Sequence, residues 1–141
     1  MNGNWSAKQL KDSVEALKKS VNVYNSYIVS DSAENDFEEV LRSGVIKNFE
    51  IAYEVCWKFM QRWINLNISP NILKGKFRRE LFNIAKENAI IDDAELWMGF
   101  YEARNSTAHI YDEKIADEVF KEALGFLPCA EKFVETMEEN I

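Results

Sequence analysis

Between residues 37 and 66 the chain returns an apolar side chain at three- and four-residue steps without meeting a proline. The set is Phe37, Val40, Leu41, Val45, Ile46, Phe49, Tyr53, Cys56, Trp57, Met60 and Ile64. That period matches 3.6 residues per turn and not the two-residue alternation of a strand, so one long helix is predicted from Phe37 to about Leu66. Its apolar residues cover about two faces instead of a single stripe, which predicts a central position or a subunit contact. Little elsewhere can interrupt such elements, because 141 residues contain two prolines and five glycines. With 47% hydrophobic residues, a disordered or collagen-like chain is excluded, and the expected class is all-α in a single domain spanning residues 1–141.

The remaining patterns fit the same class. Ser6-Ala7-Lys8-Gln9 has the form of a capping box, followed by a stripe of Leu10, Val14, Leu17, Val21, Tyr24 and Ile28 that predicts a first helix ending near Val29 before the polar run Ser30 to Asp36. Gly44, inside the second helix, costs roughly 1 kcal/mol relative to alanine, and signals either close packing of another backbone or simple tolerance. Asn65 to Gly75 is a linker with one helical turn at most. A third helix is expected from Phe77 to Asn88, with Phe77, Leu81, Phe82, Ile84 and Ala85 on its apolar face; Ala89 stands where a glycine would close it. Asp92 and Glu95 form the next expected cap, opening a helix with Leu96, Trp97, Phe100 and Tyr101. A last helix starts at Asp112 or Glu113 and should be kinked or divided at Pro128.

Charge and cysteine content narrow the function. Seventeen basic against 24 acidic side chains leave a net charge of −7, which argues against a broad nucleic-acid groove and leaves room for a small basic site. Lys74, Lys76, Arg78 and Arg79 form the one strongly basic cluster. It reads either as a phosphate-backbone contact or as a solvated helix start. Cys56 and Cys129 have neither zinc nor disulfide-framework spacing, no cofactor is called for, and one histidine makes a metal site a weak reading. The N-terminus lacks a leader pattern, and no apolar run approaches the roughly 18 to 20 residues that span a bilayer, so a soluble cytoplasmic protein is expected.

The single histidine lies in Arg104-Asn105-Ser106-Thr107-Ala108-His109-Ile110-Tyr111. On an unbroken helix Arg104 and His109 would point about 140° apart. Asn105, Ser106 and Thr107 compete for backbone hydrogen bonds, so the helix is predicted to end or tighten among them. A guanidinium binds phosphate oxygens and an imidazole takes or gives a proton near neutral pH. Together they suffice for metal-independent RNA cleavage, with His109 as general acid or base and Arg104 stabilising charge on the phosphorane. The same two residues also read as a helix C-terminal interaction beside a surface histidine.

The stretch at 104–111 resembles the R-x4-H-x-Y signature of HEPN-domain proteins, in the branch called nucleotidyltransferase substrate-binding proteins. Gly44-Val45-Ile46-Lys47-Asn48-Phe49-Glu50 with Glu54 and Trp57-Lys58, Ile90 to Trp97, and Tyr111-Asp112-Glu113 are similar to other segments of that branch. The resemblance implies an antiparallel up-and-down helical bundle that forms a homodimer, encoded beside a minimal nucleotidyltransferase. In some relatives the pair is a toxin and antitoxin. Arg104 and His109 match the residues a ribonuclease of this kind uses, and the nucleotidyltransferase silences that ribonuclease by adding AMP to the tyrosine that Tyr111 matches. The alternative is a non-catalytic subunit that presents nucleotide or another substrate to the transferase. Asn105 fits the pattern as an orienting residue. Glu54 either pairs with Arg104 across the bundle or faces solvent. Without the resemblance, Tyr111 reads as an amphipathic residue packing near a helix start.

Overall fold

The computed structural model describes residues 3–29 and 35–140. These residues form helices α1 (Gly3–Val29), α2 (Asn35–Asn67), α3 (Arg78–Glu87), α4 (Ala94–Ser106) and α5 (Glu113–Glu139), with a 3-10 turn at Thr107–His109. No strand occurs among the described residues, and the chain is an all-α bundle. Helix α1 lies along α2, both pack on α5, and α4 fits against α5 with the short α3 beside it. Most of the polar run after α1 and the side chain of Ile28 lie outside the described residues.

The predicted stripes are the buried ones. Leu10, Val14, Leu17 and Val21 seal α1 against α2, while Tyr24 is half-buried and donates its hydroxyl proton to Glu38. The two-faced apolar set of α2 divides in two. Val45, Ile46, Phe49, Ala52, Tyr53, Cys56, Phe59, Met60 and Ile64 enter the core, whereas Phe37, Val40 and Ile51 stay exposed.

Where α2, α4 and α5 meet, rings fill the interior edge-on. Phe126 takes Phe49, Phe100 and Trp97 at centroid distances of 5.3, 5.1 and 5.4 Å, and Trp97 reaches Phe133 at 5.8 Å. Such tilted pairs each add about 1 kcal/mol beyond the area they bury. The rigid aromatic knot fixes α4 relative to α2 and so sets where Arg104 emerges.

Several boundaries differ from the sequence expectation. Helix α1 begins at Gly3, so Ser6 lies within it and is not its cap. The cap of α4 is Asp93, whose Oδ1 accepts from the Leu96 amide at 3.0 Å; Asp92 instead pairs with Lys132. Phe77 is the extended N-cap of α3 and is 80% exposed, not part of its apolar face. Gly44 has open space around the position of a Cβ, which favours tolerance over close packing. Pro128 does not divide α5. Its ring is exposed, where the carbonyl that loses its partner can turn to water, while Leu127, Ala130 and Phe133 hold both flanks in the core.

Candidate active site

Helix α4 ends as the residue types dictate. Ser106 returns its hydroxyl to the Glu102 carbonyl at 3.0 Å, and Thr107 returns its own to the Arg104 carbonyl at 2.7 Å. Side-chain competition of this kind weakens the α-ladder. The chain tightens into the 3-10 turn, closed by the Ile110 amide on Thr107 at 3.3 Å. Asp112 then caps α5, its Oδ1 accepting from the amides of Lys114 and Ile115 at 2.9 and 3.2 Å. The predicted break is therefore present, between two well-anchored helices.

Arg104 is held from three sides. Its Nη1 donates to Thr107 Oγ1 at 3.1 Å and lies 3.5 Å from Glu50 Oε2, while Nε lies 3.5 Å from Glu54 Oε1. Nε is shielded from water and lacks an aligned hydrogen bond, so the Glu54 contact is an ion pair without the geometry of a full bond. With about a third of the Arg104 and Glu54 side chains and about a fifth of Glu50 exposed, these pairs are worth on the order of 1 kcal/mol each. Of the two sequence alternatives for Glu54, pairing with Arg104 is the observed one. Trp57 fixes that carboxylate by donating Nε1–H to its Oε2 at 3.2 Å, and Lys58 approaches within 3.8 Å.

His109 and Tyr111 stand on the solvent side of the same break. The Tyr111 hydroxyl lies 3.5 Å from His109 Nδ1, and Tyr111 is 83% exposed. The tyrosine therefore does not pack near the helix start. Asn105 is exposed and makes no hydrogen bond to either Arg104 or His109. Within one chain no hydrogen bond or ion pair joins Arg104 to His109; the first faces α2 and the second faces its own tyrosine. Among the described residues no group of three or more His, Cys, Asp and Glu side chains is placed to hold a metal, and both cysteines are free. No helix of the described residues is long and apolar enough to cross a membrane.

Two neighbours went unread in the sequence. Glu50 lies one turn before Glu54 on α2, a spacing that puts both carboxylates on one face. Arg78, counted with the basic cluster, turns inward: its guanidinium carbon sits 3.6 Å from the Trp57 ring centre and 4.8 Å from that of Tyr101, and Nη1 donates to the Tyr53 hydroxyl at 3.0 Å. Burial pushes the Tyr53 hydroxyl well above the usual tyrosine range, with the Arg78 charge opposing the shift in part. Arg79 forms an ion pair with Glu95, so the cluster is not one basic patch.

Comparison with known proteins matches residues 6–139 to the sequence model of a family described as nucleotidyltransferase substrate binding protein like. The chain belongs to this family. A probable ribonuclease HepT from Haemophilus influenzae is 28% identical over 91 residues, which cover 64% of this chain and 62% of that relative's length. A solved structure from Haemophilus influenzae, described as revealing the fold of a substrate binding domain of a nucleotidyltransferase, superposes with a TM-score of 0.86 at 22% identity, covering 94% of this chain and 98% of that one. The nucleotidyltransferase substrate-binding fold is thus shared along nearly the whole chain.

Proposed function

We propose that this chain is a metal-independent endoribonuclease that acts as a homodimer and is silenced when a minimal nucleotidyltransferase transfers AMP to Tyr111. The observation that carries this reading is the loosened end of α4. There a half-buried Arg104 is anchored by Glu50, Glu54 and Thr107 while His109 and Tyr111 stand exposed, in contact with each other. An RNA 2′-hydroxyl attacks the adjacent phosphorus, the bond to the 5′ oxygen breaks, Arg104 stabilises the phosphorane, and His109 moves a proton. In an in-line displacement the attacking and leaving oxygens lie on opposite sides of the phosphorus, so a single imidazole does not reach both. A second copy supplies the other, and two-fold symmetry is the commonest oligomeric arrangement. Exposed Ile51 on α2 lies within one turn of Glu54 and about 60° from it around the helix, which supports an interface beside the site. The setting would be the cytoplasm, where RNA and ATP are both present.

Silencing follows from the 3.5 Å contact between Tyr111 and His109. Tyr111 Oη attacks the α-phosphorus of ATP and pyrophosphate leaves; the added phosphate puts negative charge where an RNA phosphate must sit. RNA cleavage should persist in chelator and fall by at least about 100-fold in Arg104→Ala. Full activity in that variant would sink the assignment. Mixing the protein with its nucleotidyltransferase and ATP should add AMP to Tyr111, read by mass spectrometry.

The net charge of −7 favours a second reading, a non-catalytic subunit that presents a substrate to the nucleotidyltransferase. Purified protein that never cuts RNA but raises transfer by the enzyme onto a third molecule would select it.

A further inference from the structure

We propose that Arg78 is a second phosphate-binding residue, one that grips the RNA strand beside the phosphate held by Arg104. The inference rests on the ribonuclease reading above and adds a subsite to it.

The charge around Arg104 motivates the assignment. Glu50 and Glu54 lie within ion-pair distance of Arg104, and Glu54 also meets Lys58. Two carboxylates thus offset two cations, and a groove built from these four alone would hold no net attraction for a polyanion. Arg78 changes that balance. Among the described residues no carboxylate pairs with it, in contrast to Arg79, Arg42 and Arg104.

Geometry supplies the second argument. Trp57 and Tyr101 flank the guanidinium, and Tyr53 takes one of its five N–H donors. Such a stack fixes the plane of the group with little conformational entropy left to lose. The side chain is only partly buried, so remaining donors can reach a ligand. Tyr101 precedes Arg104 by three residues on α4 and Trp57 follows Glu54 by three on α2, so the residues that hold Arg78 lie about one helical turn along the same two helices from Arg104 and its Glu54 partner. A single strand laid along α4 would meet Arg78, Arg104 and then His109 in that order.

A short single-stranded oligoribonucleotide, 2′-O-methylated so that it cannot be cut, serves as the probe for full-length protein in anisotropy titrations at several salt concentrations. Arg78→Gln should weaken binding about 5- to 10-fold at low salt and flatten the plot of log affinity against log salt by about 0.7, the loss of one phosphate contact on a single strand. A role confined to holding α3 in place would lower the melting temperature and leave that slope unchanged. A folded variant with the wild-type slope overturns the inference. In wild-type protein, bound probe should also protect Arg78 from phenylglyoxal, read by mass spectrometry; equal modification with and without RNA overturns it even where the variant fails to fold. Wild-type protein that neither binds nor cuts RNA removes the ribonuclease reading along with it, whereas binding and cutting with an unaltered slope in Arg78→Gln removes the Arg78 subsite alone.

Discussion

Helices α3 and α4 both end a few residues before an aspartate that caps the next helix, yet they end in opposite ways. The end of α3 is closed by its own backbone: the Ile90 amide bonds to the Ala85 carbonyl at 2.9 Å and the Ala89 amide to Lys86 at 3.0 Å, the pair of bonds that defines a Schellman motif. Ile90 and Ile91 then turn into the core. The end of α4 unwinds into a 3-10 turn, and residues 108–114 are all exposed. One terminus has its side chains recruited for stability. The other leaves an imidazole and a phenol in water without a packing role, and on that contrast rests the proposal that the second terminus is the functional one.

Substitutions at the two ends should separate these roles. The largest effect is expected from His109→Ala, which should cut RNA cleavage by about 100-fold or more while urea unfolding stays within about 0.5 kcal/mol of wild type; a large loss of stability would erase the contrast. Ile90→Ala, at a site 3% exposed, should cost about 2 to 4 kcal/mol in the same unfolding assay and leave cleavage by the folded fraction unchanged. Ala89 occupies a φ of +59°, a conformation that penalises a Cβ, so Ala89→Gly should raise stability by about 1 kcal/mol, visible as a higher melting temperature. Smallest of all, Tyr111→Phe should leave stability and RNA cleavage nearly unchanged and abolish AMP incorporation. Retained incorporation would place the acceptor elsewhere.

How much of this was legible in the sequence follows from what each feature depends on. The stripes of α1, α2 and α5 are legible because their period is local, whereas the start of α1 and the continuity of α5 through Pro128 are not, since a capping pattern and a proline also occur inside helices. The break after Arg104 read correctly because Ser106 and Thr107 bond to carbonyls within their own turns. Asp92 imitates the α4 cap through its capping-box spacing to Glu95, but its partner, Lys132, lies forty residues away and cannot be read locally. Ala89 departs from the glycine expected at the end of α3, and its positive φ is the reason glycine suits that position. Arg78 looked like one lysine-like charge among four, because only the tertiary approach of α2 and α4 builds the aromatic slot that turns it inward.

The Trp57 indole, 3.6 Å from the Arg78 charge and hydrogen-bonded to Glu54, touches both the stacked cation and the carboxylate that steadies Arg104. An indole's emission depends on the electric field across its ring, so of the four tryptophans this one would sense what enters the proposed groove. Drawing Arg78 toward a phosphate would change that field, and the protein would report occupancy through its own fluorescence with no label attached.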